Sequence, residues 1–162
     1  MKFKLANALT VLLLLTSALC FAVDKPNFSG KWTLDKDKSF SNPPGLDQTM
    51  TITQTGDQVK MEAHVKTARG EQDVNETYLL DGKEADFTPQ NPPNAKGKRV
   101  ATWLPNGQGI LIKDETTVDG KVVGQVSRKW TLSPDGKRMV VDYYFDDQRG
   151  SFESKRVFNK VE

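Results

Sequence analysis

The sequence predicts an all-β fold, a single antiparallel meander of about eight to ten strands closed into a barrel. Apolar and polar residues alternate strictly, as in Val59, Met61, Ala63 and Val65 against Lys60, Glu62, His64 and Lys66. Period two is the mark of a strand with one buried face. Turn residues punctuate these runs at short intervals, among them Thr55-Gly56-Asp57, Pro105-Asn106-Gly107 and Ser133-Pro134-Asp135-Gly136. Asn-Gly and Asp-Gly supply the positive-φ positions that hairpin turns require. Beyond the first 22 residues almost nothing has helical spacing. Closure is the economical end for such a meander, because it removes exposed sheet edges.

The first residues stand apart. Lys2 and Lys4 precede an apolar run from Leu5 to Ala22, the pattern of a secretory signal peptide. Cleavage is expected after Ala22, leaving residues 23–162 as one exported barrel domain, periplasmic or secreted, with no membrane span. A rival reading makes Cys20 a lipid-acylation site, although Leu19 stands where such sites prefer a small residue. The 23 lysines and arginines face 21 aspartates and glutamates, and residues 1–22 contain only Lys2 and Lys4 of these, so the mature domain carries no net charge. That balance favours neither nucleic acid nor an anionic membrane surface. The only cysteine lies in the leader, so an ordinary apolar core must stabilise the domain.

The strands follow in order. Phe28 to Asp35 opens the barrel, with Phe28, Gly30, Trp32 and Leu34 on one side. Gly30 beside Trp32 marks a close approach of a neighbouring backbone or a large ring. Residues 36–46, with Pro43-Pro44-Gly45, form an irregular loop. Met50 and Ile52 begin the second strand and Val59 to Val65 the third. Val74 to Leu80 is the fourth, with Glu76 inward beside Val74 and Tyr78. Asp81-Gly82-Lys83 reads as a tight turn into a short strand at 84–88. A second Pro-rich loop spans 89–97, and Arg99 to Leu104 pairs with Gly109 to Thr117. The last forty residues make three strands. Val122, Gly124, Val126, Arg128, Trp130 and Leu132 share a face of the first, Met139, Val141, Tyr143 and Phe145 of the second, and Phe152, Ser154, Arg156 and Phe158 of the third.

Two motifs at opposite ends of the mature chain carry a resemblance. Phe28-x-Gly30-x-Trp32 resembles the opening motif of lipocalins and intracellular fatty-acid-binding proteins, together the calycins. Arg156-Val157-Phe158 resembles the Arg-x-Tyr ending of the fatty-acid-binding group. The resemblance implies a lipocalin-like barrel of an exported bacterial branch that holds a small molecule inside. The chain departs from it in lacking the two helices after the first strand, the usual lipocalin disulfide, and the tyrosine that Phe158 replaces.

An arginine inside two apolar faces is the unusual feature. The resemblance implies two roles for Arg156: a carboxylate anchor in the cavity, or a structural group stacked on Trp32 at the closed end. The lost hydroxyl at Phe158 tilts the reading toward the second. Arg128 must meet an acid, a ligand or solvent, since an unpaired buried arginine is very costly; an ion pair with Glu76 or Asp142, or a place at the mouth, is expected. Tyr78 and Tyr143 are candidates for hydroxyl contacts to a ligand. His64 lies on the charged face and has no second histidine to complete a metal site. Nothing points to a cofactor, a nucleotide loop or a conventional hydrolytic centre. The leading expectation is a non-enzymatic carrier of a small, largely apolar molecule, oriented by Arg156 or Arg128. An interaction or inhibitor module working through loops 36–46 and 89–97 is the alternative. A barrel isomerase or cyclase, with Glu76 or Glu115 as its acid, is a third.

Overall fold

The computed structural model describes residues 25–41 and 44–161. The expected signal peptide and the choice between cleavage after Ala22 and acylation at Cys20 lie outside the described residues. Ten strands form one antiparallel meander: β1 (Gly30–Leu34), β2 (Asp47–Thr55), β3 (Gln58–Thr67), β4 (Gly70–Leu79), β5 (Asp81–Phe87), β6 (Lys96–Trp103), β7 (Gly109–Val118), β8 (Lys121–Leu132), β9 (Arg138–Asp147) and β10 (Gly150–Val161). Each strand pairs with its chain neighbour except at one point, and β1 pairs with β10. The sheet thus nearly closes, with its seam between β4 and β5, which share no ladder. A short 3-10 helix at Lys36–Lys38 and a bridge from Phe40 to Lys155 hold the loop between β1 and β2.

The alternation read from the sequence holds across the core. Val59, Met61, Ala63 and Val65 are buried on β3, and Phe28, Trp32 and Leu34 at the start of the chain. Phe28 and Tyr78 meet Trp130 edge to face, at ring separations of 6.2 and 5.8 Å. This packed aromatic layer fills one part of the interior.

Two expectations fail for reasons of backbone geometry. Asp81-Gly82-Lys83 does not turn β4 into a hairpin with β5. Asp81 faces Thr102 and Glu84 faces Val100, so Gly82 and Lys83 together oppose one residue of β6 in a bulge. Gly82, at φ +72°, uses the same left-handed freedom that a turn would need. Val122 is not on the inner face, being 52% exposed. Thr116 faces Gly124 while Thr117 faces Val122, so a bulge at Val123 puts the start of β8 out of phase. Strand β4 also begins at Gly70, earlier than the apolar residues alone indicate.

Gly30 does mark a close approach, but by a lysine stem rather than by a backbone or a ring. At φ +142° it lies against the Lys160 stem, and a Cβ would collide with Lys160 Cε. The Lys160 ammonium stands 5.3 Å from the Trp32 ring centroid. The stacking partner of Trp32 is therefore Lys160, not Arg156. The register explains it: Trp32 faces Lys160 directly, and Arg156 lies four residues further along β10, about 13 Å away at strand rise.

Candidate functional site

The inward faces of β4, β6, β7 and β8 place four charges together. Arg99 on β6 makes a bidentate pair with Asp114 on β7, Nε donating to Oδ1 at 2.6 Å and Nη2 to Oδ2 at 2.7 Å. Arg99 Nη2 also donates to Glu76 Oε1 at 3.0 Å. Arg128 Nη1 donates to Glu76 Oε2 at 2.9 Å and to the Tyr78 hydroxyl at 3.2 Å, and its Nη2 donates to Asp114 Oδ2. The Tyr78 hydroxyl donates in turn to Glu76. The Arg99 guanidinium is flanked by the Phe87 and Tyr78 rings, 4.5 and 4.9 Å from their centroids. Gly97 makes room for that Phe87 ring, with which a Cβ would collide.

Two cations thus meet two anions, and the side chains of Asp114, Arg99, Arg128 and Glu76 are only 8, 9, 12 and 21% exposed. Arg128 is neither at the mouth nor paired with Asp142, whose neighbour is Lys129 at 3.8 Å. Tyr78 does not line the cavity, since its ring belongs to the aromatic layer and its hydroxyl to this network. Glu115 takes a bond from Gln125 and has no place in the network. The network ties β4 across the barrel to β6 and β8, where the seam gives it no ladder to β5.

Electrostatics separates the arginines. Burial alone would lower the pKa of Arg128 and Arg99, but Tyr78, Glu76 and Asp114 around them outweigh it and hold both guanidiniums above the usual range. Burial likewise pushes the Glu76 carboxyl up, yet the Arg128 and Arg99 charges, with hydrogen bonds from Tyr78 and Arg99, leave it below the usual carboxylate value. A depressed folded pKa stabilises above the unfolded value, about 4.3 for glutamate, and that contribution is lost as pH falls through the folded value. Melting temperatures measured at about pH 7, 5 and 3 should therefore fall most steeply at the acid end. Glu76→Gln should melt lower than wild type at neutral pH but show a shallower acid drop; parallel drops would remove Glu76 from the account.

Beside the network lies an interior cavity of about 320 Å³. Met50, Met61, Val65, Val141, Trp130 and Phe158 supply most of its apolar wall, and Gln48, Glu76, Arg128, Tyr143 and Arg156 are among its polar lining. Arg156 differs from the other two arginines. Its Nη1 donates to Gln48 Oε1 at 3.2 Å and its guanidinium lies 4.8 Å from the Tyr143 ring centroid. Its Nε meets no acceptor, which is true of Arg128 Nε as well, but unlike Arg128 it pairs with no carboxylate among the described residues. Burial, with Arg128 nearby, draws its pKa below the usual arginine value. It remains a cation at neutral pH. Of the residues singled out from the sequence, Arg128, Arg156, Tyr143 and Phe158 line this cavity. Phe28, Gly30 and Trp32 belong to the barrel frame.

Sequence reading missed Arg99 and Asp114. The signal was present, because Ile110 and Ile112 are apolar in the phase that continues to Asp114, and Ala101 in the phase of Arg99. His64 is exposed, held on the outer face by Asp73 at 2.8 Å. Among the described residues no group of three or more His, Cys, Asp or Glu could hold a metal ion. No described helix is long and apolar enough to cross a membrane.

No family model and no curated protein matches the sequence. Solved structures do. The chain is similar to zebrafish ileal bile acid-binding protein complexed with cholic acid, at 16% identity and a TM-score of 0.53, over 83% of this chain and 98% of that one. It is similar to apo lipid binding protein 8 of Caenorhabditis elegans, at 13% identity and a TM-score of 0.59, over 83 and 95% of the two chains. It is also similar to secretory abundant heat soluble protein 4 of Ramazzottius varieornatus, at 12% identity and a TM-score of 0.55, over 86 and 98%. The fold is that of a calycin-like barrel.

Proposed function

We propose that this protein is a non-catalytic binder of a small, largely apolar molecule carrying one acidic group, with Arg156 as the anchor. The carrying observation is that Arg156 faces the cavity without a carboxylate partner among the described residues, while Arg99 and Arg128 are each paired with both Glu76 and Asp114. An uncompensated cation in an apolar wall is costly, and a bidentate carboxylate would remove that cost. Gln48 and Tyr143 orient the guanidinium, and the methionines and valines receive the apolar part. The bile-acid and lipid binding named for two of the similar structures supports the same ligand class. Both oxygens of Glu76 are engaged and its carboxyl is held ionised, which disfavours a barrel isomerase or cyclase built on it. A filled interior would favour the alternative of an interaction module at loops 36–46 and 89–97; the cavity speaks against it. The leader-like residues 1–22 support a place outside the cytoplasm.

The test is a calorimetric titration with straight-chain carboxylates from octanoate to palmitate. Affinity should rise about fourfold per added methylene while the tail is being buried, then level off when the cavity is full. Affinity independent of chain length, or no binding at any length, would overturn the proposal.

A further inference from the structure

A second cavity of about 360 Å³ adjoins the first. Tyr143 and Arg156 line both, so Arg156 stands at the neck the two share, the second forming a vestibule beside the first. Phe145 and Phe152, tilted rings 6.3 Å apart, form the vestibule wall with Tyr143. Arg69, from the turn between β3 and β4, Arg149, from the turn between β9 and β10, and Ser154 of β10 complete it. No acidic residue lines it among the described residues. Arg149 is already neutralised, donating to Asp147 Oδ2 from Nε at 2.8 Å and from Nη2 at 2.6 Å. The Arg69 side chain has no ion pair or hydrogen bond among the described residues. Two cations without counter-charge, Arg156 and Arg69, therefore face one cavity, one at the neck shared with the first cavity and one on an exposed turn. A monocarboxylate matches one of them. A doubly charged head with three acceptor oxygens matches both.

We infer that the neck and vestibule form a site for a phosphate monoester dianion, held by Arg156 and closed over by Arg69, with any apolar tail in the first cavity. The site rests on the binding reading above and narrows it to phosphorylated amphiphiles, with the head toward the β3–β4 and β9–β10 turns. Arg69 adds attraction only for the dianion, because a carboxylate seated on Arg156 leaves nothing for it to neutralise.

Calorimetry on the full chain at about pH 8, where a phosphate monoester is a dianion, would use lauroyl lysophosphatidate, dodecanoate and inorganic phosphate. The lysophosphatidate is expected to bind at least about tenfold tighter than dodecanoate. Arg69→Ala, on an exposed turn, should remove most of that advantage and leave dodecanoate within about twofold of wild type. Phosphate binding that Arg69→Ala abolishes, with lysophosphatidate no tighter than phosphate alone, supports the dianion site and identifies free phosphate as its source. Dodecanoate binding with no lysophosphatidate advantage, or an advantage that Arg69→Ala leaves intact, overturns the dianion site and spares the carboxylate carrier. Failure of all three probes to bind overturns both.

Discussion

Asp114→Ala should lower the melting temperature of this protein by on the order of 10–20 °C at neutral pH. Asp114 is the hub of the buried network, because it holds Arg99 through two parallel hydrogen bonds and also accepts from Arg128. Its removal leaves two guanidiniums facing the single charge of Glu76 in a region the solvent barely reaches. Breaking a buried pair from one side costs about 3–5 kcal/mol, since the partner charge stays behind. The same reasoning predicts a rescue. Arg99→Met combined with Asp114→Leu removes one charge of each sign and leaves Arg128 paired with Glu76, and should melt well above the single variant. Thermal melts of the two proteins check this, and a single variant melting within about 3 °C of wild type would show the network to be solvated rather than buried.

The opposite sign is expected at Arg156. Arg156→Met replaces a half-buried cation without a carboxylate partner by an apolar side chain of similar length, so the unliganded protein should melt at the wild-type temperature or a few degrees higher. Its affinity for a carboxylate ligand should fall about 10- to 100-fold, the loss of a charge-assisted contact. Stability and binding then move in opposite directions at one residue, which separates an anchor from a structural arginine. Loss of stability comparable to that of Asp114→Ala would instead make Arg156 part of the frame.

The local elements were legible because their cues are local. Asn106-Gly107 and Asp135-Gly136 mark hairpin turns, and the period-two sets between them place Trp130, Val141 and Phe158 inside. Glu76 could be matched to Arg128 because both fall in apolar phases. Arg99 was harder, because before Trp103 its phase is marked only by the small Gly97 and Ala101, while the larger Val100 falls in the opposite phase with Lys98. What the sequence could not express was register between distant strands. The pairing of Trp32 with Lys160, which moves Arg156 away from Trp32, follows from how far the barrel shears before β1 meets β10. The seam between β4 and β5 is of the same kind. Asp81-Gly82 offers positive-φ freedom that serves a bulge as well as a turn, and only the position of Thr102 opposite Asp81 decides between them.

The central claim is that Arg156 holds the acidic group of a ligand whose apolar part fills the cavity. A thermodynamic cycle measures it directly, with wild type and Arg156→Met each titrated against dodecanoate and dodecanol. The two ligands share a tail and differ in charge, so the tail's contribution cancels. A coupling of about 1.5–3 kcal/mol between the arginine and the carboxylate is the predicted result. A coupling near zero, with both ligands weakened equally or not at all, would contradict it.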